Sequence, residues 1–393
     1  MKKIIFFFLL PLSVLSQAKP LSGIIVDSSG KAIPFANVVY GSKNTLSNEN
    51  GEFELQIENL PTKINVTHLN YEPIEIDIRE HRYLKIFLKE SIKTLPEAKV
   101  GNYAIELIKK TIQKVAQDSV FNHFGRGFYQ YVGKNQGGYT SLHEIFFDGN
   151  FNGRTGIIRW LPTASRYEID EVNPGTKNAI YMALINTPPN IHIHLSVDGK
   201  LTKIDDIAQY YTFTIDYFLN EGTAEEVAVV FCTPRKKFQT AFTGYFYIKT
   251  SNLSVLRVTG KKIILATSNN PFFKVKESYV TMDIQFKEIN STVLLTAMDL
   301  IINLNLRTGL FANKNSSERL KLIMYDYTVA SKNEYGNLQP FYKTKEYQIF
   351  STTQESPEFW ANNSIIKRTP IEVEAIKEFE SKKKKSGNMF PNK

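Results

Sequence analysis

The chain has 393 residues, 42% hydrophobic, 22% charged and 12% aromatic, a balance that excludes wholesale disorder and leaves room for more than one buried core. A single cysteine excludes an intramolecular disulfide framework and a multi-cysteine zinc site. The net charge of +9 is concentrated: without Lys2, Lys3 and the run Lys382–Lys385 it falls to +3, spread over the rest, with no basic face of the kind a nucleic-acid binder needs.

Residues 1–18 carry the three parts of a secretory signal peptide in order. Lys2 and Lys3 give a positive start, Ile4 to Leu15 an apolar run, and Ser16-Gln17-Ala18 a small-residue exit, with cleavage after Ser16 or Ala18. The apolar run is too short for a bilayer core that needs ~20 residues. An exported protein is expected, periplasmic or outer-membrane associated.

Residues 20–92 read as a small β-sandwich. Phe53, Leu55 and Ile57 alternate with Glu52, Glu54 and Gln56; Ile74, Ile76 and Ile78 alternate with Glu75, Asp77 and Arg79; Leu84, Ile86 and Leu88 alternate with Lys85 and Lys89. A period of two sends one set to a core and the other to water. Turn residues at Asp27-Ser28-Ser29-Gly30 and Asn48-Glu49-Asn50-Gly51 divide the runs.

The pattern Gly23-Ile24-Ile25-Val26-Asp27, Gly30, Ile33-Pro34-Phe35-Ala36-Asn37-Val38, then Gly51-Glu52-Phe53 and His68-Leu69-Asn70-Tyr71, resembles the carboxypeptidase-regulatory-like domain. Asn70 stands where that family usually has glycine. The resemblance covers about 70 residues and implies a transthyretin-like (prealbumin-like) sandwich of a type found in gram-negative envelope proteins. In carboxypeptidases this domain is an accessory without catalytic residues, so the resemblance implies no hydrolysis.

Over 101–118 the period changes. Ala104, Leu107, Ile108, Thr111, Ile112 and Val115 share one face and Lys109, Lys110, Gln113 and Lys114 the other, which predicts an amphipathic helix packed on a sheet. Residues 124–352 then read as a larger antiparallel β domain. Phe213, Ile215 and Tyr217, and Val280, Met282, Ile284 and Phe286, alternate with polar residues; Val227–Cys232, Gly244–Ile248, Val255–Thr259, Leu320–Val329 and Glu346–Phe350 add strands, and a short helix is expected over Lys177–Ile185 before Pro188-Pro189. The block from Val227 to Pro234, then Phe242-Thr243-Gly244-Tyr245-Phe246-Tyr247-Ile248 and Leu253-Ser254-Val255-Leu256, is similar to a pattern in periplasmic half-barrel proteins, lipoprotein-carrier-like folds among them. In the carriers the apolar concavity holds acyl chains.

Residues 353–393 form a C-terminal helix and basic tail. Thr369-Pro370-Ile371-Glu372 supplies a cap, a first-turn proline and an acidic third residue; Ile376 and Phe379 are expected to dock on the sheet, with the lysine run solvated and the last dozen residues frayed.

The search for chemistry assigns no catalytic, cofactor-binding or metal-binding residue. His192 and His194, two apart, would point to one side of a strand as a metal pair does, with Asp198, Asp205 and Asp206 as loose further ligands. His143-Glu144 begins a zincin motif, but Phe147 occupies the place of its second histidine. Cys232 falls in an apolar strand and reads as a small buried hydrophobe. The expectation is a mainly β, non-enzymatic envelope protein without cofactors that binds a protein partner or an apolar or lipid ligand, with peripheral membrane association open to it. The alternatives are a secreted hydrolase assembled from distant residues, with shifted titratable groups around the histidines, and an outer-membrane barrel, whose strands also alternate.

Overall fold

The structure is a computed structural model. It describes residues 20–41, 43–95, 102–117, 122–152, 158–172, 190–238, 240–264, 273–275, 278–289, 292–308, 312–327, 338–340, 352–353, 355–362 and 367–390. The signal peptide, the helix expected over 177–185 and the strand expected over 346–350 lie outside these residues.

Seven strands open the fold: β1 (Leu21–Asp27), β2 (Asn37–Tyr40), β3 (Lys43–Leu46), β4 (Glu52–Leu55), β5 (Thr62–His68), β6 (Tyr71–Ile78) and β7 (Tyr83–Leu88). They form two sheets, ordered β4-β1-β7 and β3-β2-β5-β6. Phe53, Leu55, Ile64, Val66, Leu84, Ile86 and Leu88, all at alternate positions, meet in one core with Leu21, Ile25 and Val38. Alternation sets this inside face in β4, β5 and β7. On the edge strand β6 it weakens along the chain, because only Ile78 is buried while Ile76 is half-buried and Ile74 is exposed. Gly51 turns the chain into β4 at φ 75°, and a side chain there would collide with the Ile25 carbonyl oxygen.

The helix α1 (Tyr103–Gln117) follows, with Ala104, Leu107, Ile108, Thr111, Ile112 and Val115 all buried, as the 3.6-residue period requires. Around it runs a sheet of long strands: β8 (Lys93–Thr94), β9 (Asn122–Asn135), β10 (Gly138–Asn152), β11 (Ile158–Asp170), β12 (Tyr211–Leu219), β13 (Val227–Pro234), β14 (Phe242–Lys249), β15 (Ser254–Ile264), β16 (Phe273–Val275), β17 (Ser278–Ile289), β18 (Thr292–Thr308), β19 (Ala312–Asp326), β20 (Gln339–Pro340) and β21 (Lys385–Gly387). Its order is β20-β11-β10-β9-β19-β18-β17-β15-β14-β13-β12-β8, with β16 on β18 and β21 on β11, and every pairing is antiparallel. One face of this sheet shares a single apolar core with α1. Tyr129, Phe147, Trp160, Ile215, Phe246 and Leu322 belong to it, so strands far apart in the order converge on the same interior. The fold is mainly β, a sandwich followed by a helix and a larger antiparallel sheet.

Two short helices, α2 (Ile191–His194) and α3 (Ile207–Tyr210), add to the same core, and α4 (Pro357–Asn362) and α5 (Pro370–Ser381) close the chain on the opposite face. Thr369 donates its backbone N–H to Glu372 Oε2 at 2.7 Å, one arm of the expected capping box, and Ala375 and Phe379 pack on Val132, Tyr139 and Leu142. The tail departs from the expectation of a frayed, solvated end. Lys382 reaches Asp170 at 2.6 Å and the Tyr139 carbonyl at 2.5 Å, and Lys385–Gly387 pairs with Glu168–Asp170 as β21. The carboxylate at the end of β11 and the open sheet edge beside it give this lysine run partners that a solvated tail lacks.

Candidate functional site

Each long strand of the sheet turns alternate residues away from the α1 core, and these outward residues form a row across the strands. Arg166 on β11 stands opposite Glu144 on β10, Glu144 opposite Gln130 on β9, Gln130 opposite Lys321 on β19, Lys321 opposite Asp299 on β18, and Asp299 opposite Asp283 on β17. Gln130 Nε2 donates to Glu144 at 2.9 Å, and the Arg166 guanidinium holds the same carboxylate from the other side at 2.5 Å. Burial alone would raise the Glu144 carboxyl, but Arg166 and Arg368 outweigh it and hold it below the usual range. Asp299 and Asp283 face each other as like charges. Each is neutralised by its own forked arginine, Arg319 at 2.9 and 2.6 Å and Arg257 at 2.9 and 2.5 Å.

Such a row on an open face would be solvated. Here it is the seat on which the sandwich rests. The side-chain oxygen of Asn48 accepts from the backbone N–H groups of Asn50 and Glu52, both at 2.9 Å, and this turn delivers Glu49 to Arg319 and Lys321. Lys321 lies between Glu49 at 2.9 Å and Glu372 of α5 at 2.5 Å, so one ammonium joins sandwich, sheet and C-terminal helix. Asn48 also donates to the Lys367 carbonyl at 3.2 Å, and Lys367 pairs with Glu52 at 3.3 Å. Beside the ions, Leu46 of β3 packs on Ala297 and Ile323.

The second foothold is the turn between β5 and β6. Leu69 packs on Leu219, Val227, Val229 and Tyr247 of the sheet. The neighbouring His68 is half-buried and takes the Asn70 N–H on Nδ1 at 3.2 Å, which leaves the ring proton on Nε2. Burial, with the Arg257 charge adding to it, pushes the imidazole down to about 3.

Between the two footholds the sandwich and the sheet enclose a groove of about 540 Å³. Phe35, Leu46, Leu69, Val227 and Leu256 give it an apolar wall. Most charges at its rim have partners: Lys249 bonds Glu225 at 2.9 Å and Glu288 at 3.4 Å, Arg257 bonds Asp283 and Glu72 bonds Lys89, while Lys287 is exposed to water. It therefore offers an occupant desolvated apolar surface and little uncompensated charge.

His68 makes this seam sensitive to acid. Its folded value lies below the ordinary 6.5, so above that pH the ring is neutral in both states and its contribution is complete; as pH falls below 6.5 the unfolded chain takes up the proton first and stability is lost, down to about pH 3. Between pH 7 and pH 5 the loss should be about 1–2 kcal/mol for a half-buried ring. Denaturant midpoints at the two pH values are expected to show this excess loss in the wild type and not in His68→Gln; equal pH dependence would count against it.

The residues singled out in the sequence lie elsewhere. His192 and His194 sit on the one-turn helix α2, not on a strand. Asn190 caps it through a 3.1 Å bond to the His192 N–H, and at helical spacing the two rings diverge. His192 Nε2 lies 2.6 Å from the Thr202 carbonyl, while His194 is buried against Phe242 and Phe246, ring centroids 5.8 and 6.4 Å away. Asp198 instead accepts from the Thr240 N–H at 3.0 Å. Among the described residues no group of three His, Cys, Asp or Glu could hold a metal. His143 and Glu144 take opposite faces of β10, the histidine stacked 5.2 Å from Tyr131 and the glutamate in the charge row. Cys232 is fully buried, and burial pushes its thiol well up, away from reactivity. Arg257, Arg319 and Lys321 carry no distinguishing signal in the sequence, because a charge at an outward strand position looks the same whether water or another domain covers it, and Glu49 and His68 lie in or beside turns whose partners are distant along the chain.

No protein-family model matches the chain, and no curated protein does. Among solved structures, a DUF1329 family protein from Desulfovibrio piger aligns over 60% of this chain and 97% of its own, at 10% identity and a TM-score of 0.23. The Pseudomonas aeruginosa MucA/MucB complex aligns over 60% and 98%, at 9% identity and 0.19. An outer membrane lipoprotein-sorting protein domain from Vibrio parahaemolyticus aligns over 59% and 96%, at 10% identity and 0.21. At these scores the likeness assigns neither family nor function.

Proposed function

We propose that this chain is an exported cell-envelope protein whose carboxypeptidase-regulatory-like sandwich is clamped to the outer face of the large sheet, and that the groove along the seam receives an apolar segment of a partner protein. The observation that carries this reading is the groove itself, walled by Phe35, Leu69, Val227 and Leu256, with Lys249 and Arg257 at its rim already paired. An apolar side chain entering it would be desolvated on most sides and would strand none of those charges. The Lys2-Lys3, apolar and Ser16-Gln17-Ala18 pattern supports export.

Two other readings gain less. An acyl chain in the concavity of the sheet would have to displace α1, since the side chains of that face are packed with it in one core. A membrane-spanning barrel would turn the row Arg166, Glu144, Lys321, Asp299, Asp283 towards lipid, where an Arg or Lys at mid-depth costs about 2–4 kcal/mol.

A photocrosslinking residue at Leu256 in the full chain is expected to give one discrete protein adduct in envelope fractions, lost when Phe35→Glu puts a charge in the groove. The same residue at the exposed Tyr83 should not give it. Release of the protein from membranes by high salt would accompany this result. A lipid adduct at Leu256 would transfer the site to an apolar small ligand, and no adduct at all would sink the reading.

A further inference from the structure

On the opposite face of the sheet, away from the groove, two side chains meet in an arrangement that has chemistry. Ser196 follows α2 and lies half-buried between the fully buried Leu195 and the buried Val197. Its hydroxyl oxygen is 2.9 Å from the amine of Lys262 on β15. Lys262 stands opposite Phe242 on β14 and Val280 on β17, both members of the apolar core. Among the described residues the amine has no carboxylate partner, and the Ser196 hydroxyl is its one hydrogen-bonding contact. Burial alone acts on it and lowers its affinity for a proton. Lys43 and Lys89 on the surface, by contrast, pair with Glu58 and Glu72.

The serine is also held in place. Tyr211 donates its hydroxyl to the Ser196 carbonyl at 3.4 Å and accepts the Phe242 N–H at 3.3 Å. Beyond it the chain turns through Asp198 at φ 49° and Gly199 at φ 74°, and this turn is fastened to Thr240 by three hydrogen bonds: Asp198 N–H to the Thr240 carbonyl at 3.1 Å, Gly199 N–H to its hydroxyl at 3.0 Å, and Thr240 N–H to the Asp198 carboxylate at 3.0 Å. A non-glycine residue in the left-handed region, fixed from both sides, marks a segment whose conformation the fold imposes.

We propose that Ser196 is a nucleophile activated by Lys262 and becomes acylated by esters with apolar acyl groups. A hydroxyl within hydrogen-bond reach of an unpaired, desolvated lysine is the serine–lysine form of the nucleophile–base pair. In its neutral form the Lys262 amine accepts the serine proton as Oγ attacks the acyl carbonyl. A bond forms between Oγ and the carbonyl carbon, the ester's carbon–oxygen bond breaks, and the ammonium passes the proton to the departing alcohol. No oxidant, metal or further reactant is needed. The core residues Phe242 and Val280 flank the lysine, which favours an apolar acyl group. The backbone N–H groups of Val197 and Asp198 are committed to the Lys200 and Thr240 carbonyls at 2.9 and 3.1 Å, so they are not free to stabilise an oxyanion. Missing donors of this kind typically lower rates by about 10²–10³, and the pair is therefore suited to taking up an activated acyl group once.

The test is to incubate the full chain with p-nitrophenyl octanoate and to locate the octanoyl group by intact mass and peptide mapping. One octanoyl group on Ser196 is expected. Ser196→Ala should abolish it, and Lys262→Met and Lys262→Arg should each slow it by about 100-fold or more, the arginine keeping the charge but being unable to act as base. Thermal melts of each variant establish that the fold is retained. Where Ser196→Ala does not fold, Ser196→Cys provides the second readout: iodoacetamide should modify that thiol faster when Lys262 is present than when it is methionine. No octanoyl group in the wild type, an octanoyl group on lysine alone, equal acylation of wild type and Ser196→Ala, or thiol reactivity indifferent to Lys262 would each overturn the proposal. None of these results touches the groove, so failure here leaves the crosslinking result at Leu256 to be judged separately.

Discussion

Replacing Lys321 with methionine is expected to destabilise the protein by about 3–5 kcal/mol, the cost of breaking a buried ion pair from one side. The side chain is 4% exposed and so is its partner Glu372, and Glu49 meets the same ammonium at 2.9 Å. Removing the lysine leaves the Glu372 carboxylate in a dry site with no cation as close. Arg319 can still answer Glu49, but it is already shared with Asp299. The loss should appear as a lower urea midpoint, together with faster proteolysis at the turn between β3 and β4, because Glu49 is the point at which the sandwich is tied to the sheet. Glu49→Gln and Glu372→Gln added to Lys321→Met should restore part of the loss, since an all-neutral cluster no longer contains an unpaired charge. A triple variant as unstable as the single one would show that packing, and not charge, is what the lysine supplies.

Phe147→Ala is expected to cost a similar amount, about 3–5 kcal/mol, for a different reason. Its ring is buried edge-on to Trp160 with centroids 5.4 Å apart, and it lies over Gly127, directly opposite on β9. A side chain at Gly127 would collide with that ring, so the glycine leaves a hollow that the phenylalanine fills. Truncation opens both the place of the ring and the hollow beneath it, and the neighbours on a hydrogen-bonded sheet cannot collapse into them. Of the two tryptophans, Trp160 touches Phe147 and Trp360 packs on Phe146 across the sheet. The Trp160 emission should therefore shift to the red in Phe147→Ala, and Phe147→Leu should retain most of the stability. An alanine variant with unchanged midpoint and emission would contradict the packing account.

The contrast between these two sites marks how far a local pattern of residues reaches. Alternation settles the fate of Phe53, Leu84 and Met282, whereas Phe147 follows the equally apolar Phe146, and the two are buried on opposite faces of the sheet. Arg319 and Lys321 occupy the same kind of strand with the opposite parity, and alternation assigns them to water. In one sense that is correct, because they do leave the α1 core. What lies over them is decided by Glu49, 270 residues away from Arg319, and by Glu372 on the last helix. The histidines illustrate the same limit. Their spacing of two has meaning only on a strand, and Asn190 starts a helical turn there instead.

The amino-acid order by itself determined the mainly β character, the inward face of β4, β7 and β17, the amphipathic helix over 103–117 and the proline-led helix after Thr369. These depend on periods of two and 3.6 and on caps, all contained within a few neighbouring residues. The tertiary structure alone decided that the outward charges would form one cross-strand row, that the sandwich would cover it and leave a groove, that the terminal lysines would stitch an edge, and that Ser196 would meet Lys262. Each of these contacts joins residues far apart along the chain, and their approach depends on strand order and sheet curvature, which no local pattern encodes.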